Sequence, residues 1–327
     1  MQYYVNPNQA VACYHTIAEA LADLPEDPTV PVEIVLSAGT FHEKVEIRRS
    51  NLTITGEGPE ATVIVHDDYA LMPMPDGSKC GTFRSYTFFL DGAHNRMSHL
   101  TIRNNARPRR KVGQTVALYV DGDDFRAEDC CFDSFQDTLF TGPLPPKAMT
   151  PGGFTGPKEF DERALSRQYY KDCRIRGDVD FIFGSAVAYF EHCTIESLDS
   201  GDLPESEKSD SSIYGYATAA STPEGYEFGY VFDHCSFVSD KCPPGSVYLG
   251  RPWRDYAKTV LIDCHLGAHI HKDGFFDWNK TAARETIFYG EYHSSGPGAS
   301  DDTRVSYEHL LTEEEAAKYT RKNVLGF

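Results

Sequence analysis

The chain has 327 residues, and 31 Lys and Arg against 49 Asp and Glu give it a formal net charge of −18. This acidic balance argues against nucleic acid or an anionic membrane surface as a partner. No apolar run approaches the ~20 residues that a membrane-spanning helix needs, and the length allows two average domains or one large all-β domain.

The start of the chain, MQYYVNPNQAVACYH, lacks the basic and then apolar layout of a signal peptide. Nine cysteines, an odd count, favour a reducing compartment over a complete disulfide framework. We therefore expect a cytoplasmic protein, with a secreted protein whose leader has been removed as the alternative.

Helices are predicted chiefly near the two ends of the chain. A capping box from Thr16 to Glu19 opens the stretch TIAEAL, and a second from Thr312 to Glu315 precedes AAKY. Helices at these places would cover the ends of a stacked sheet, which otherwise present unpaired edges.

Between these helices a short strand-like pattern recurs, in which an acidic or His residue precedes Cys. It occurs at residues 127–132 (AEDCCF), 170–175 (YKDCRI), 190–195 (FEHCTI), 232–237 (FDHCSF) and 261–266 (LIDCHL). RRSNLTITG (48–56) and NRMSHLTIRN (95–104) have Leu in place of Cys, so LTIT, LTIR, CTIE and CSFV are expected at equivalent places. We interpret these cysteines as a buried column, because no CxxC pair supports the metal or redox alternative.

Spacings of ~20 residues and rough multiples predict a solenoid built from short strands. The expected fold is all-β, a single-domain right-handed parallel β-helix over residues 1–327 with short terminal helices and long loops. Two long loops are predicted, at residues 142–157 (GPLPPKAMTPGGFTGP) and 197–212, which is acidic and serine-rich.

The stretch GDVDFIFG, residues 177–184, places two carboxylates in an apolar run. The period of two in a strand predicts two faces, with Asp178, Asp180 and Ile182 on one and Val179, Phe181 and Phe183 on the other. Because burying an unpaired charge is costly, the acidic face should meet water or a partner. For Asp178 we favour a solvated or Arg-paired neighbour without a role of its own.

Other polar residues stand out along the chain. Gln136 and Asp137 adjoin each other among aromatics in SFQDTLF, and Gln114 begins the strand-like QTVALYV. Arg251 and Trp253 share one side of YLGRPW, where a guanidinium can hold a carboxylate ionised and an indole can support a sugar ring. Taken singly, each has an ordinary structural interpretation as well. Gln136 and Asp137 could belong to a polar ladder, Gln114 could lie on the surface, and Arg251 with Trp253 could form a cation–π pair. His265, His269 and His271 share strand parity and could bind a metal, but we interpret them as scaffold.

Seven motifs together resemble the pectin methylesterases, carbohydrate esterases with a right-handed parallel β-helix. In chain order over nearly the whole sequence they are GTFHE, GTFRSYT, QTVAL, QDTLF, SRQYYKDC, GDVDFIFG and YLGRPW. HIHKDGFFDWN, near the end of the chain, is similar to the family's scaffold.

The resemblance implies hydrolysis of galacturonate methyl esters through an acyl-enzyme of the anhydride type. Asp180 would be the nucleophile, Asp137 the general acid and then base, and Arg251 the partner that orients Asp180. Gln114 and Gln136 would donate hydrogen bonds to the oxyanion. The implied substrate contacts are Trp253, Phe183, Val179 and Thr82.

The resemblance further implies a monomer that needs no cofactor and no metal and that acts on methyl-esterified polygalacturonate or oligogalacturonides. The family's GxYxE has Phe41 for Tyr here, Phe135 precedes Gln136, and QTVAL replaces QAVAL, yet no catalytic group is lost. The loop after QDTLF is longer than in plant-type enzymes, and we expect it to form one wall of the groove.

Three other readings stay open. A polygalacturonase would need paired carboxylates but has no clear use for two Gln donors, because its transition state is cationic. A pectate lyase would need a calcium cluster, whereas the acids here are scattered. A non-catalytic pectin-binding β-helix would not require both Asp, Arg251 and both Gln together.

Overall fold

Short parallel strands stack coil upon coil in this computed structural model, which describes residues 1–8, 13–199, 201, 212–300 and 302–327. Each ladder pairing between these strands is parallel, and successive coils supply neighbouring strands of the same sheet. The predicted parallel β-helix is thus confirmed. Most of the second predicted loop, residues 200 and 202–211, lies outside the described residues.

One sheet contains seven strands, and the functional residues discussed below lie along it. In stacking order its strands are β4 (Val45–Arg48), β7 (Phe88–Asp91), β9 (Leu118–Asp121), β11 (Leu139–Thr141), β14 (Val179–Gly184), β17 (Gly215–Ala220) and β20 (Val247–Gly250).

The larger sheet consists of two ladders, which two nine-residue strands join because each runs through both of them. The joining strands are β8 (Arg96–Asn104) and β10 (Phe125–Asp133). The first ladder also contains β1 (Gln2–Val5), β2 (Val32–Leu36), β5 (Leu52–Thr55), β12 (Arg167–Lys171), β15 (Val187–Glu191), β18 (Tyr230–Asp233), β21 (Lys258–Ile262), β23 (Phe288–Tyr292) and β24 (Glu308–Leu310). The second also contains β3 (Gly39–His42), β6 (Thr62–His66), β13 (Arg174–Gly177), β16 (Thr194–Ser197), β19 (Ser236–Val238) and β22 (His265–Leu266).

The turn between the two ladders explains the recurring Asp-Cys and His-Cys pairs. One residue in each of seven coils there has a left-handed backbone with φ between 49° and 57°: His99, Asp129, Asp172, His192, His234, Asp263 and His293. Asp and His tolerate this conformation better than most residues with a Cβ.

The cysteine after each such Asp or His turns into the interior. Cys130, Cys173, Cys193, Cys235 and Cys264 are all buried in the main apolar core. The thiols of Cys193, Cys235 and Cys264 donate to carbonyls of the preceding coil, as from Cys235 Sγ to the Phe190 oxygen at 3.3 Å. Those of Cys130 and Cys173 donate to the carbonyl two residues earlier in the same coil. The predicted cysteine column is confirmed.

The expected equivalence of LTIT with LTIR is wrong. Leu100 of LTIR pairs with Cys130 and so belongs to the column. Thr53 of LTIT pairs instead with Arg96, which places this strand in the first ladder. A left-handed residue, Asn51, also precedes LTIT, so both turns of a coil produce the same local pattern and the sequence does not distinguish them.

This backbone requirement can be tested at His192, whose φ is 54°. We expect His192→Val to lower the free energy of unfolding by about 1–2 kcal/mol, because a branched side chain clashes in the left-handed region. His192→Gly removes the same imidazole without that clash and should cost less. Urea unfolding of both variants measures the difference, and equal losses would assign the effect to the imidazole's contacts.

Four short α-helices occur in the described ranges: α1 (Ile17–Ala22), α2 (Arg109–Val112), α3 (Glu313–Ala316) and α4 (Arg321–Leu325). Two 3-10 helices are also present there, at Thr82–Arg84 and Thr281–Glu285. Both predicted capping boxes are present, at Thr16 and at Thr312. Helix α1 packs against β1 at the first coil, as expected. Within the described residues no helix has the length and apolar character that crossing a membrane requires.

The C-terminal helices do not cover an end of the stack, so this expectation is wrong. Helix α4 packs against β12 and β15. Its Val324 and Leu325 join Tyr189 and Val231 in an apolar cluster on the outer side of the first ladder. Strands β15 and β18 carry apolar side chains on both faces there, and the helix covers part of the outer face.

Candidate active site

A column of aromatic side chains lines the outer face of the seven-stranded sheet. Phe89, Tyr119, Phe140 and Phe183 occupy equivalent positions on successive strands, and Ala219 follows them on β17. Neighbouring ring centroids are 4.9, 4.6 and 4.9 Å apart. This aromatic column gives the adjacent polar residues a rigid base.

A bulge in β14 places Asp180 beside the column. Val179 pairs with Tyr216 and Ile182 with Thr218, so β14 has one residue more than β17 between these pairs. Asp180 takes a left-handed backbone with φ of 51°. A residue inserted in this way interrupts the alternation of faces.

The predicted strict alternation over residues 178–183 is therefore wrong. Phe181 and Ile182 both belong to the interior core, whereas Phe183 lies in the outer aromatic cluster. The two acids do not share an open face either. Asp178 is fully buried and its Oδ2 lies 2.7 Å from Arg109 Nε, which agrees with the Arg-paired interpretation.

Arg251 holds the carboxylate of Asp180 with two hydrogen bonds. Its Nε donates to Oδ1 at 2.8 Å and its Nη2 to Oδ2 at 2.7 Å. The guanidinium carbon also lies 3.9 Å from the ring centroid of Tyr216 and 3.7 Å from that of Trp278. A bidentate pair with two cation–π contacts fixes both the position and the direction of the carboxylate.

Asp137 lies one coil away from Asp180. Its backbone N–H donates to the carbonyl of Val179 at 3.0 Å, and its own backbone is left-handed with φ of 66°. Only 8% of its surface is exposed.

The two carboxyl groups differ in what surrounds them. Burial raises the pKa of Asp137 well above its usual value, and the charge of Asp180 raises it further. Burial also raises the pKa of Asp180, but the hydrogen bonds and charge of Arg251, with the charge of Lys280, oppose that rise. The pair should therefore ionise first at Asp180, while Asp137 keeps its proton.

A cavity of about 230 Å³ joins these groups. Eight of the nine residues predicted for the site line it: Thr82, Gln114, Gln136, Asp137, Asp180, Phe183, Arg251 and Trp253. The ninth, Val179, lines a neighbouring hollow with Arg109 and Tyr216 instead. Both Gln side chains are half-buried, so their amides border a space that a ligand can enter.

Four further lining residues were missed from the sequence: Phe83, Gly153, Ala219 and Trp278. Phe83 adjoins Thr82 in GTFRSYT, and Trp278 lies in HIHKDGFFDWN, which was interpreted as scaffold. Gly153 belongs to the long loop at residues 142–157, and its position agrees with the wall expected there. Across the described residues, no group of three or more His, Cys, Asp or Glu side chains is arranged to hold a metal ion.

Comparisons with known proteins bear on this site. A family model described as Pectinesterase matches residues 5–143 and 163–326. A pectinesterase of Petunia integrifolia is 31% identical over 96% of this chain and 78% of its own length. Pectinesterase 1 of Solanum lycopersicum is 31% identical over 93% of this chain and 50% of its own. The chain spans about half the length of several curated relatives that it matches.

Solved structures match the fold over almost the whole chain. A pectin methylesterase in complex with a hexasaccharide has a TM-score of 0.80 at 28% identity, covering 99% of this chain and 96% of that one. The carrot pectin methylesterase has a TM-score of 0.80 at 27% identity, with 99% and 92% covered.

Proposed function

The chain belongs to the pectinesterase family, and we propose that it hydrolyses galacturonate methyl esters to carboxylate and methanol. The observation that carries this proposal is the Asp180 carboxylate, held at both oxygens by Arg251 in the same cavity as Asp137. A related pectin methylesterase binds a hexasaccharide, which supports pectin or methylated oligogalacturonides as the substrate.

In the first half-reaction, an oxygen of Asp180 attacks the ester carbonyl and forms a tetrahedral oxyanion. Gln114 and Gln136 donate hydrogen bonds to that oxygen, and neutral amides do so without titrating. Asp137, protonated, transfers its proton to the methoxy oxygen as the carbon–oxygen bond breaks. Methanol leaves, and Asp180 is joined to the galacturonate as an anhydride.

In the second half-reaction, Asp137 is a carboxylate and takes a proton from water. The hydroxide attacks the galacturonyl carbonyl, and Asp180 departs as a carboxylate that Arg251 stabilises. Asp137 is again protonated, and the net change is one ester and one water converted to one acid and one methanol.

The four residues proposed to contact the substrate differ in how accessible they are to a sugar ring. Trp253 is half-buried and Thr82 also borders the cavity, so both can contact a sugar ring. Phe183 is only 3% exposed and would offer little more than an edge. Val179 could touch only a sugar that extends into the neighbouring hollow.

The esterase reaction has a direct test in the products formed. Incubation with methylated pectin or a methylated oligogalacturonide should release methanol, with neither chain shortening nor a new unsaturated chain end. Shortening would support a polygalacturonase and an unsaturated end a lyase. Binding without any product would support a non-catalytic β-helix.

The oxyanion role can be tested at Gln136. We expect Gln136→Ala to slow methanol release by a factor of about 100 to 1000, because one donor to the developing charge is lost. The loss should fall on kcat, since the donor acts mainly in the transition state. An unchanged kcat with a higher KM would make Gln136 a binding residue instead.

A single domain over residues 1–327 and a monomeric state stay predictions.

The size of the substrate bears on where in or outside the cell the enzyme acts. Polymeric pectin is too large to enter a cell and would require secretion, whereas short oligogalacturonides are compatible with the cytoplasm that we expect from the sequence. Kinship with proteins described as acting on pectin favours secretion.

A further inference from the structure

Residues 144–162, here called the wall segment, lie between the two ranges that match the family model. They nevertheless reach the site, because Gly153 lines the cavity. Leu144 and Phe154 of the segment are 1% and 6% exposed and pack in the same outer cluster as the aromatic column. This chain therefore has a part of its site that the family pattern does not account for.

Polar contacts fix the wall segment to the β-helix. Lys158 Nζ lies 2.9 Å from Asp91 Oδ2, at the end of β7. Arg254 donates to the carbonyl of Lys147 at 3.0 Å, and Arg48 donates to the carbonyl of Pro157 at 3.0 Å. Apolar packing and polar contacts thus both attach the wall segment to the β-helix, so it is a fixed part of the cavity's border.

Phe154 is the residue of this wall that contacts the proposed sugar platform. Its ring packs edge-on against Trp253, with centroids 6.2 Å apart and an angle of 79° between the planes. Phe83 stacks with the same indole at 6.4 Å and 22°, and Phe154 also packs edge-on against Phe83 at 5.6 Å. Phe183 also packs against this indole, with centroids 5.7 Å apart. Three phenylalanines thus position the indole, and of these Phe154 alone lies outside the ranges matched by the family model.

The size of the cavity indicates which substrates depend on this contact. At about 230 Å³ it is smaller than the ~300–1,000 Å³ of typical ligand pockets, so it encloses a small part of a sugar chain. A short oligomer depends on the few contacts next to the reacting ester. A polymer makes contacts over a longer stretch of the protein, so the loss of any one contact lowers its affinity only slightly.

We propose that Phe154 is a positioning residue that fixes Trp253 against the sugar, and that the wall segment thereby adapts this site to short methylated oligogalacturonides. This inference rests on the proposed esterase function. It concerns binding in the ground state and transition state alike, so its effect belongs to KM.

The test compares Phe154→Leu with the wild type on methylated trigalacturonate and on highly methylated pectin. We expect KM for the trimer to rise about tenfold with kcat within about twofold, and KM for pectin to change by less than about threefold. Phe160→Leu is the matched control, since Phe160 belongs to the same segment but is 92% exposed. Phe160→Leu should leave KM and kcat unchanged for both substrates.

Equal KM changes for trimer and pectin, or a Phe154→Leu variant indistinguishable from Phe160→Leu, would overturn the inference. A lower kcat on both substrates with unchanged KM would reduce Phe154 to a structural residue and likewise overturn it. Should Phe154→Leu fail to fold, Phe154→Met fills a similar volume without a flat ring and allows the same comparison. A wild type that releases no methanol from either substrate would instead reject the esterase proposal itself.

Discussion

Asp180→Asn is expected to lower the rate of methanol release by a factor of about 10⁴ to 10⁶, the scale of losing a nucleophile. The carboxamide is nearly the same size as the carboxylate but cannot attack an ester carbonyl. Methanol released from highly methylated pectin by purified variant and wild type measures the loss. Mass spectrometry adds a second readout, because a covalent sugar adduct should form on the wild type under rapid quenching and be absent from the variant.

A loss of activity identifies Asp180 as the nucleophile only if the cavity keeps its structure in Asp180→Asn. Arg251 would lose its ionic partner, but its contacts with the rings of Tyr216 and Trp278 should keep the guanidinium in place. Asp178→Asn is the matched control, because Asp178 adjoins the same strand, is also buried and also faces an Arg, yet has no assigned role. It should stay within about tenfold of wild-type activity. Near-normal turnover in Asp180→Asn, or equal losses in the two variants, would reject Asp180 as the nucleophile.

The β-helix itself could be predicted from the sequence because each coil requires the same residue types at the same turn. Each turn between the ladders needs a residue that tolerates a left-handed backbone, and each corner needs a small apolar side chain behind it. Asp172 with Cys173, and His192 with Cys193, satisfy both requirements in adjacent coils. The assignment of LTIT failed because Asn51 marks another turn with the same requirement.

The site was predictable to the extent that it resides in contiguous motifs. Asp137, Asp180 and Arg251 stand in short stretches that the resemblance identifies, and the cavity contains all three. The bulge in β14 was missed because an extra residue in one strand is defined only against its partner β17. Trp278 was missed because its contact with Arg251 joins residues 27 positions apart in separate motifs.

Asp137→Asn is expected to lower kcat by a factor of about 10⁴, the upper end for general acid–base catalysis, because one residue serves both half-reactions. Methanol departure needs Asp137 protonated, so wild-type activity should fall as the pH rises through its raised pKa. Attack needs Asp180 ionised, so activity should also fall at low pH. Assays across pH should show both limbs in the wild type, and only the acid limb in the residual activity of the variant. An alkaline limb that persists in Asp137→Asn would assign it to another group.

The same substitution should make the protein more stable at neutral pH. A carboxyl group whose pKa is raised in the folded state binds its proton more tightly there than in the unfolded chain, where the ordinary value is 3.8. Its contribution to folding is therefore complete below the ordinary pKa and is lost as the pH rises through the raised one. Asn has no proton to lose, so the variant should gain about 1–2 kcal/mol in free energy of unfolding at pH 7 and nothing near pH 3. Urea unfolding at both pH values measures this, and a gain that is absent, or equal at the two values, would show that folding does not raise the pKa of Asp137.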